Sequence, residues 1–181
     1  MKRLLWFSTL FAALLAVPGV SAASSAVSPT ARIEREVRHE LVMLPYYSVF
    51  DDLGFEVNGG TVVLTGKVTK PVLKDDAERA VKRIEGVERV ENRIEVLPLS
   101  PFDNRIRLAA FRAIYGTPAL NRYAHQAMPP IHIIVENGDI TLEGVVANQM
   151  DRTLAEMKAR QVHGSFSVTN HLRVEEPRSQ S

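Results

Sequence analysis

Shifted by 78 residues, this sequence lies on itself without a gap: residues 57–96 align with 135–174, and 11 of the 40 pairs are identical. The identities include Gly60/Gly138, Leu64/Leu142, Gly66/Gly144, Val68/Val146, Gly86/Gly164, Asn92/Asn170 and Val96/Val174. Glycines and valines do not hold one register over that length by chance. A period of 78 exceeds a solenoid unit, so the pattern predicts two domains rather than an array. The N-terminal parts match at a shift of 73, pairing Ile33/Ile106, Leu41/Ile114 and Pro45/Pro118. The second copy therefore carries five extra residues before its first strand.

Both copies give the same order of elements. Ile33, Val37, Leu41 and Leu44 recur at helical spacing, as do Ile106, Ala110 and Ile114. Asp103 is placed to cap the second of these helices. A loop with Pro and Tyr follows. Asn58-Gly59 and Asn137-Gly138 then sit between alternating apolar runs, which predicts two hairpins. A second helix carries Leu73, Ala77, Ala80, Val81 and Ile84, and Gly86 and Gly164 stop it and its counterpart. Val90, Asn92, Ile94 and Val96 alternate as a third strand, and a right-handed crossover would make it parallel to the second. The expected class is α+β: two tandem α-β-β-α-β domains, each a three-stranded mixed sheet packed by two helices.

The start of the chain predicts secretion. Lys2 and Arg3 precede an apolar run from Leu4 to Val17, and Val20-Ser21-Ala22 offers small residues for cleavage. The apolar run is short of the roughly 20 residues of a membrane span, which favours a cleaved signal peptide over a retained anchor. The expected map is a signal peptide over 1–22, a short segment over 23–30, a first domain over 31–98, a linker over 99–102, a second domain over 103–176 and a tail over 177–181. Without Lys2 and Arg3, the 22 basic residues fall just below the 21 acidic ones. That balance argues against nucleic acid as a partner. There is no cysteine, which excludes a thiol nucleophile, a zinc–thiolate site and a lipidated N-terminal cysteine.

Two runs carry a family resemblance. Val62-Val63-Leu64-Thr65-Gly66-Lys67-Val68 and Ile140-Thr141-Leu142-Glu143-Gly144-Val145-Val146 resemble the V-x-L-x-G-x-V strand of the BON domain. Gly86-Val87-Glu88-Arg89-Val90-Glu91-Asn92 and Gly164-Ser165-Phe166-Ser167-Val168-Thr169-Asn170 resemble its G-V-x-x-V-x-N signature, Ser165 departing from the usual valine. The resemblance covers 31–98 and 103–176. The BON domain is found in osmotically induced periplasmic stress proteins, outer-membrane lipoproteins and some channels and secretins, and the resemblance implies binding to phospholipid or envelope surfaces with no catalysis.

The residues themselves suggest no catalytic centre, cofactor or metal site. Gly66 and Gly144 are lone glycines inside strands, read as close packing of helix over sheet rather than a phosphate loop. Asn92 and Asn170 fall on the apolar face of their strands and are expected to hydrogen-bond a neighbouring turn. Asp51-Asp52 and Asp75-Asp76 are adjacent pairs, read as solvated or near a helix start. His39, His125, His132, His163 and His171 lack the spacing of a helical metal pair. From Asn104 to Val135, by contrast, there is no acidic residue. Arg105, Arg107, Arg112 and Arg122, interleaved with Phe111, Tyr115 and Tyr123, form a candidate surface for phospholipid headgroups. A solvated basic helix with a core-packing loop, or an interface for another envelope protein, would use the same residues.

Overall fold

The computed structural model describes residues 28–126 and 128–175. The expected signal peptide, residues 23–27 and the tail 177–181 lie outside them.

The first unit begins with α1 (Pro29–Val42), capped by the Ser28 side chain, which accepts from the Ala31 amide at 3.2 Å. Its buried row is Ile33, Val37 and Leu41, the spacing read from the sequence. β1 (Asp52–Asn58) and β2 (Thr61–Val68) pair antiparallel around the turn at Gly59-Gly60. α2 (Pro71–Val81) buries Leu73, Ala77, Ala80 and Val81. The chain then returns parallel to β2 in two short pieces, β3 (Arg89–Asn92) and β4 (Glu95–Val96).

The second unit repeats this order. It contains α3 (Pro101–Tyr115), β5 (Ile131–Glu136), β6 (Asp139–Val146), α5 (Gln149–Arg160), β7 (Ser167–Asn170) and β8 (Arg173–Val174). A four-residue helix, α4 (Asn121–Ala124), sits in the loop where the five extra residues fall. The registers repeat as the alignment requires: Leu64 faces Asn92 in the first unit and Leu142 faces Asn170 in the second. Each sheet buries its inner face under its two helices in a core of its own.

The third strand is split because Asn92 and Asn170 turn inward. Asn92 Nδ2 donates to the Lys74 carbonyl at 2.9 Å and to Glu78 Oε2 at 3.0 Å, while its Oδ1 accepts from the Ile94 amide at 3.1 Å. Asn170 makes the same three bonds to Arg152, Glu156 and Leu172, each at 3.1 Å. The expected partner was a turn; the actual partner is the helix packed above the strand.

Gly66 and Gly144 also have a different reason from the one expected. They adopt φ of +117° and +115°, a region that L side chains rarely enter. A Cβ on Gly66 would stand 2.2 Å from the Asp52 carbonyl oxygen, and one on Gly144 would stand 1.9 Å from that of Pro130. The neighbouring strand, not the helix, forbids a side chain there.

Asp51 is neither solvated nor at a helix start. It is fully buried and accepts four hydrogen bonds, from the amides and hydroxyls of Ser48 and Thr69, at 2.6–3.1 Å. This carboxylate pins the loop before β1 to the end of β2. The pinned loop reaches the second unit. The Ile133 amide donates to the Val49 carbonyl at 2.7 Å, and His132 stacks on Tyr47 with its Nδ1 2.6 Å from the Asp51 carbonyl oxygen. Phe50 packs edge-on to Phe111, and Lys67 pairs with Glu136.

Candidate functional site

α3 is the element on which the candidate residues converge. Pro101 occupies its first turn, where a missing N–H costs nothing. Ser100, not Asp103, is the cap: its hydroxyl accepts from the Asp103 amide at 3.1 Å. The expected linker 99–102 is therefore already helical at its end. Asp103 turns inward and accepts from the amides of Asn137 and Gly138 at 3.1 and 2.8 Å. It thereby ties the start of α3 to the tip of the β5–β6 hairpin.

The helix period divides the candidates. Asp103, Ile106, Arg107, Ala110 and Ile114 form the inner face, and Arg107 is only 6% exposed. Its Nη2 donates to the Val135 carbonyl at 2.6 Å. Burial pulls the guanidinium pKa down, and the nearby Asp103 and Asp51 carboxylates oppose that pull. Tyr115 is also buried. Its hydroxyl donates to the Ile131 carbonyl at 2.6 Å and accepts from the Ile131 amide at 3.2 Å, and burial raises its pKa. Tyr123 is buried against Asp151, donating to Oδ2 at 2.5 Å and accepting from the Ala147 amide at 2.9 Å. None of these three side chains is placed to meet a membrane.

Arg105, Arg112 and Arg122 are exposed. Arg122 is ion-paired with the buried Asp151, so the segment without acidic residues in sequence gains a carboxylate in space. Arg105 and Arg112 make no ion pair among the described residues. They lie on one outward row of α3 with Leu108 between them, at spacings of three and four residues. Arg105 also lies over the Phe102 ring, 5.9 Å from its centroid. Leu108 was not among the candidates, although its position midway between two arginines on one helical face was readable in the sequence.

Among the described residues no group of three histidine or acidic side chains is placed to hold a metal ion. No helix of the described residues is long and apolar enough to cross a membrane. Asp75 and Asp76 lie on α2, where Asp76 pairs with Arg79. His171 Nδ1 contacts Glu143 Oε1 at 2.6 Å on the open face of the second sheet.

Two α-β-β-α-β units in one register, joined through a loop and bearing a basic helical row, define a tandem α+β module. The sequence profile of the BON domain matches residues 29–98 and 119–176, and the chain belongs to the BON domain family. The second match begins after α3, yet α3 packs on β5 and α5 as part of that unit. BON domains are associated with phospholipid and membrane binding in envelope proteins. The family is generally non-catalytic and its members are typically periplasmic. No curated protein matches the chain at a significant level. Two solved structures of CdsD, a structural protein of the Type III secretion system of Chlamydia trachomatis, are similar to it in part. One shows 13% identity and a TM-score of 0.32 over 81% of this chain and 94% of that one. The other, its C-terminal domain, shows 14% identity and a TM-score of 0.27 over 78% and 96%. The assignment to the family rests on the profile match, not on these overlaps.

Proposed function

We propose that this chain is a periplasmic, non-catalytic protein that binds anionic phospholipid surfaces and supports envelope integrity, with α3 of the second unit facing the membrane. The observation that carries the reading is the outward row Arg105, Leu108 and Arg112, free of ion pairs among the described residues. A basic side chain near an anionic surface contributes about 1 kcal/mol, and that attraction fades beyond a Debye length of about 8–10 Å. Two arginines with Leu108 and the half-exposed Phe102 beside them give weak, reversible, salt-sensitive attachment. The four arginines of the sequence reduce to two, because Arg107 is buried and Arg122 is paired.

Co-sedimentation with vesicles tests this. The protein should pellet with phosphatidylglycerol-containing vesicles in low salt and not with pure phosphatidylcholine. Arg105→Glu combined with Arg112→Glu should abolish pelleting while the circular dichroism spectrum stays unchanged. Failure of the unaltered protein to pellet would favour an adaptor that binds other envelope proteins. The joined units, held by the bonds between the Val49–Asp51 loop and β5, would suit that role.

A further inference from the structure

A groove of about 670 Å³ runs between the two units, beside the connection from β4 to α3. Phe50, Lys70, Leu97, Leu99, Asn104 and Arg107 contribute its chemistry. No carboxylate lines it, whereas each of four other surface clefts carries at least one. Two helices begin at its rim: Lys70 is the N-terminal cap residue of α2 and Ser100 that of α3. The partial positive charge at each helix start favours an anion.

Arg107 makes this more than two helix ends. It is a lining residue, 6% exposed, and its Nε is buried without a hydrogen-bond partner. Its one hydrogen bond among the described residues runs from Nη2 to the Val135 carbonyl. The two carboxylates near it are engaged elsewhere, Asp103 by the amides of Asn137 and Gly138 and Asp51 by Ser48 and Thr69. Nε is sealed from the groove, so the group left to meet a ligand is Nη1, which has no hydrogen bond among the described residues; buried polar groups are ordinarily satisfied. The fold does not demand an arginine here, because the paired position in the first unit is the exposed Glu34. The opposite wall is apolar, and Leu99 is 96% exposed beside it.

We propose that this groove binds the phosphate of an amphiphile, with Arg107 and Lys70 on the phosphate and the apolar portion along Phe50, Leu97 and Leu99. Arginine offers paired donors to phosphate oxygens and lysine a mobile point charge. A groove of this size holds one small molecule, so the occupant is a single lipid or phosphate ester, not a bilayer surface. The site uses neither Arg105 nor Arg112 and is independent of the vesicle reading.

Amide NMR titration of the full chain tests it, using dihexanoyl phosphatidylglycerol below its micelle concentration. Saturable shifts are expected at the amides of Lys70, Leu99 and Asn104. Lys70→Glu lies on the surface and should weaken binding about tenfold, the scale of one hydrogen bond to a charged group. Arg107→Gln should do the same where it folds. Arg105→Glu with Arg112→Glu should leave the groove shifts intact even if vesicle binding is lost. Glycerol 3-phosphate binding as tightly as the lipid would keep the site and assign it to a soluble ester. The proposal is overturned by shifts confined to the outer row of α3, by equal shifts with octyl glucoside, or by Lys70→Glu titrating like the unaltered protein.

Discussion

The amide of Ile133 donates to the carbonyl of Val49 at 2.7 Å, so an edge strand of the second sheet is closed by a loop of the first unit. An open strand edge invites pairing with another chain, and here the neighbouring domain supplies the cover. His132, beside Ile133, reaches the Asp51 carbonyl oxygen at 2.6 Å. A carbonyl only accepts, so Nδ1 carries the hydrogen. His132→Ala leaves a buried acceptor unpaired, which costs about 1–3 kcal/mol. Scanning calorimetry should show one transition for the native chain and a lower, broadened or split transition for the variant. An unchanged melting curve would mean that the units do not stabilise each other here.

The glycines separate two kinds of constraint. Gly66→Ala and Gly144→Ala force both a disfavoured φ and a Cβ into a neighbouring carbonyl oxygen. Each should cost roughly 3 kcal/mol or more. Gly59 has φ of +62° but open space around its missing Cβ. Gly59→Ala should cost only about 1–2 kcal/mol, the left-handed backbone alone. Urea denaturation of the three variants checks the order. Equal losses would show that backbone conformation, not the close approach, sets the cost.

The two inward asparagines make acid sensitivity a property of both units. Glu78 accepts from Lys82 and from Asn92, and those bonds lower its pKa, in that order of effect. Glu156 is lowered likewise by Arg160 and then Asn170. A carboxylate lowered in the folded state stabilises the fold above its unfolded value and loses that contribution as pH falls through the folded value. The loss should therefore begin near pH 4.3, the ordinary glutamate value, and continue below it. Glu78→Gln with Glu156→Gln keeps the carbonyl acceptors and removes the titration. Its stability should vary less with pH in that window than that of the native chain, as measured by urea midpoints.

The halves of the fold were legible because the repeat reports local constraints: helix periodicity, the Asn-Gly turns and the paired glycines. Contact between the halves is not a repeated feature, so the alignment was silent about it. One signal was available. β1 reads Asp52-Leu53-Gly54-Phe55-Glu56-Val57-Asn58, apolar on one face only, whereas β5 reads Ile131-His132-Ile133-Ile134-Val135-Glu136 and is buried on both faces. A run apolar on both faces implies cover on both, and the cover is the Tyr47–Asp51 loop. Arg107 misled for a related reason. Counting charges along the chain ignores the helical phase, which sets it beside Ile106 and Ala110 on the inner face of α3. The carboxylate that reaches Arg122 lies 29 residues away, beyond the basic segment that suggested a free arginine.

That carboxylate occupies a position where the two copies part. Asp151 aligns with Leu73, a fully buried core residue of the first unit. In the second unit the position stays buried but polar: Asp151 receives Arg122, the Tyr123 hydroxyl and Asn148 Nδ2. Tyr123 in turn accepts from the Ala147 amide at the end of β6, the task that Asp51 performs for Thr69 in the first unit. Arg122 and Tyr123 thus serve the closure of the second unit, apart from the outward row of α3. Tyr123→Phe should lower stability by about 1–3 kcal/mol, because a buried carboxylate and an amide each lose a partner, and should leave vesicle binding unchanged. Arg105→Glu with Arg112→Glu should have the reverse effect, leaving the melting temperature within a degree or two, as surface changes of about 0.5 kcal/mol or less do, and removing vesicle binding. Thermal melts and co-sedimentation on both variants read the two roles separately. Loss of vesicle binding in Tyr123→Phe with the fold intact would move the lipid surface to the α4 loop.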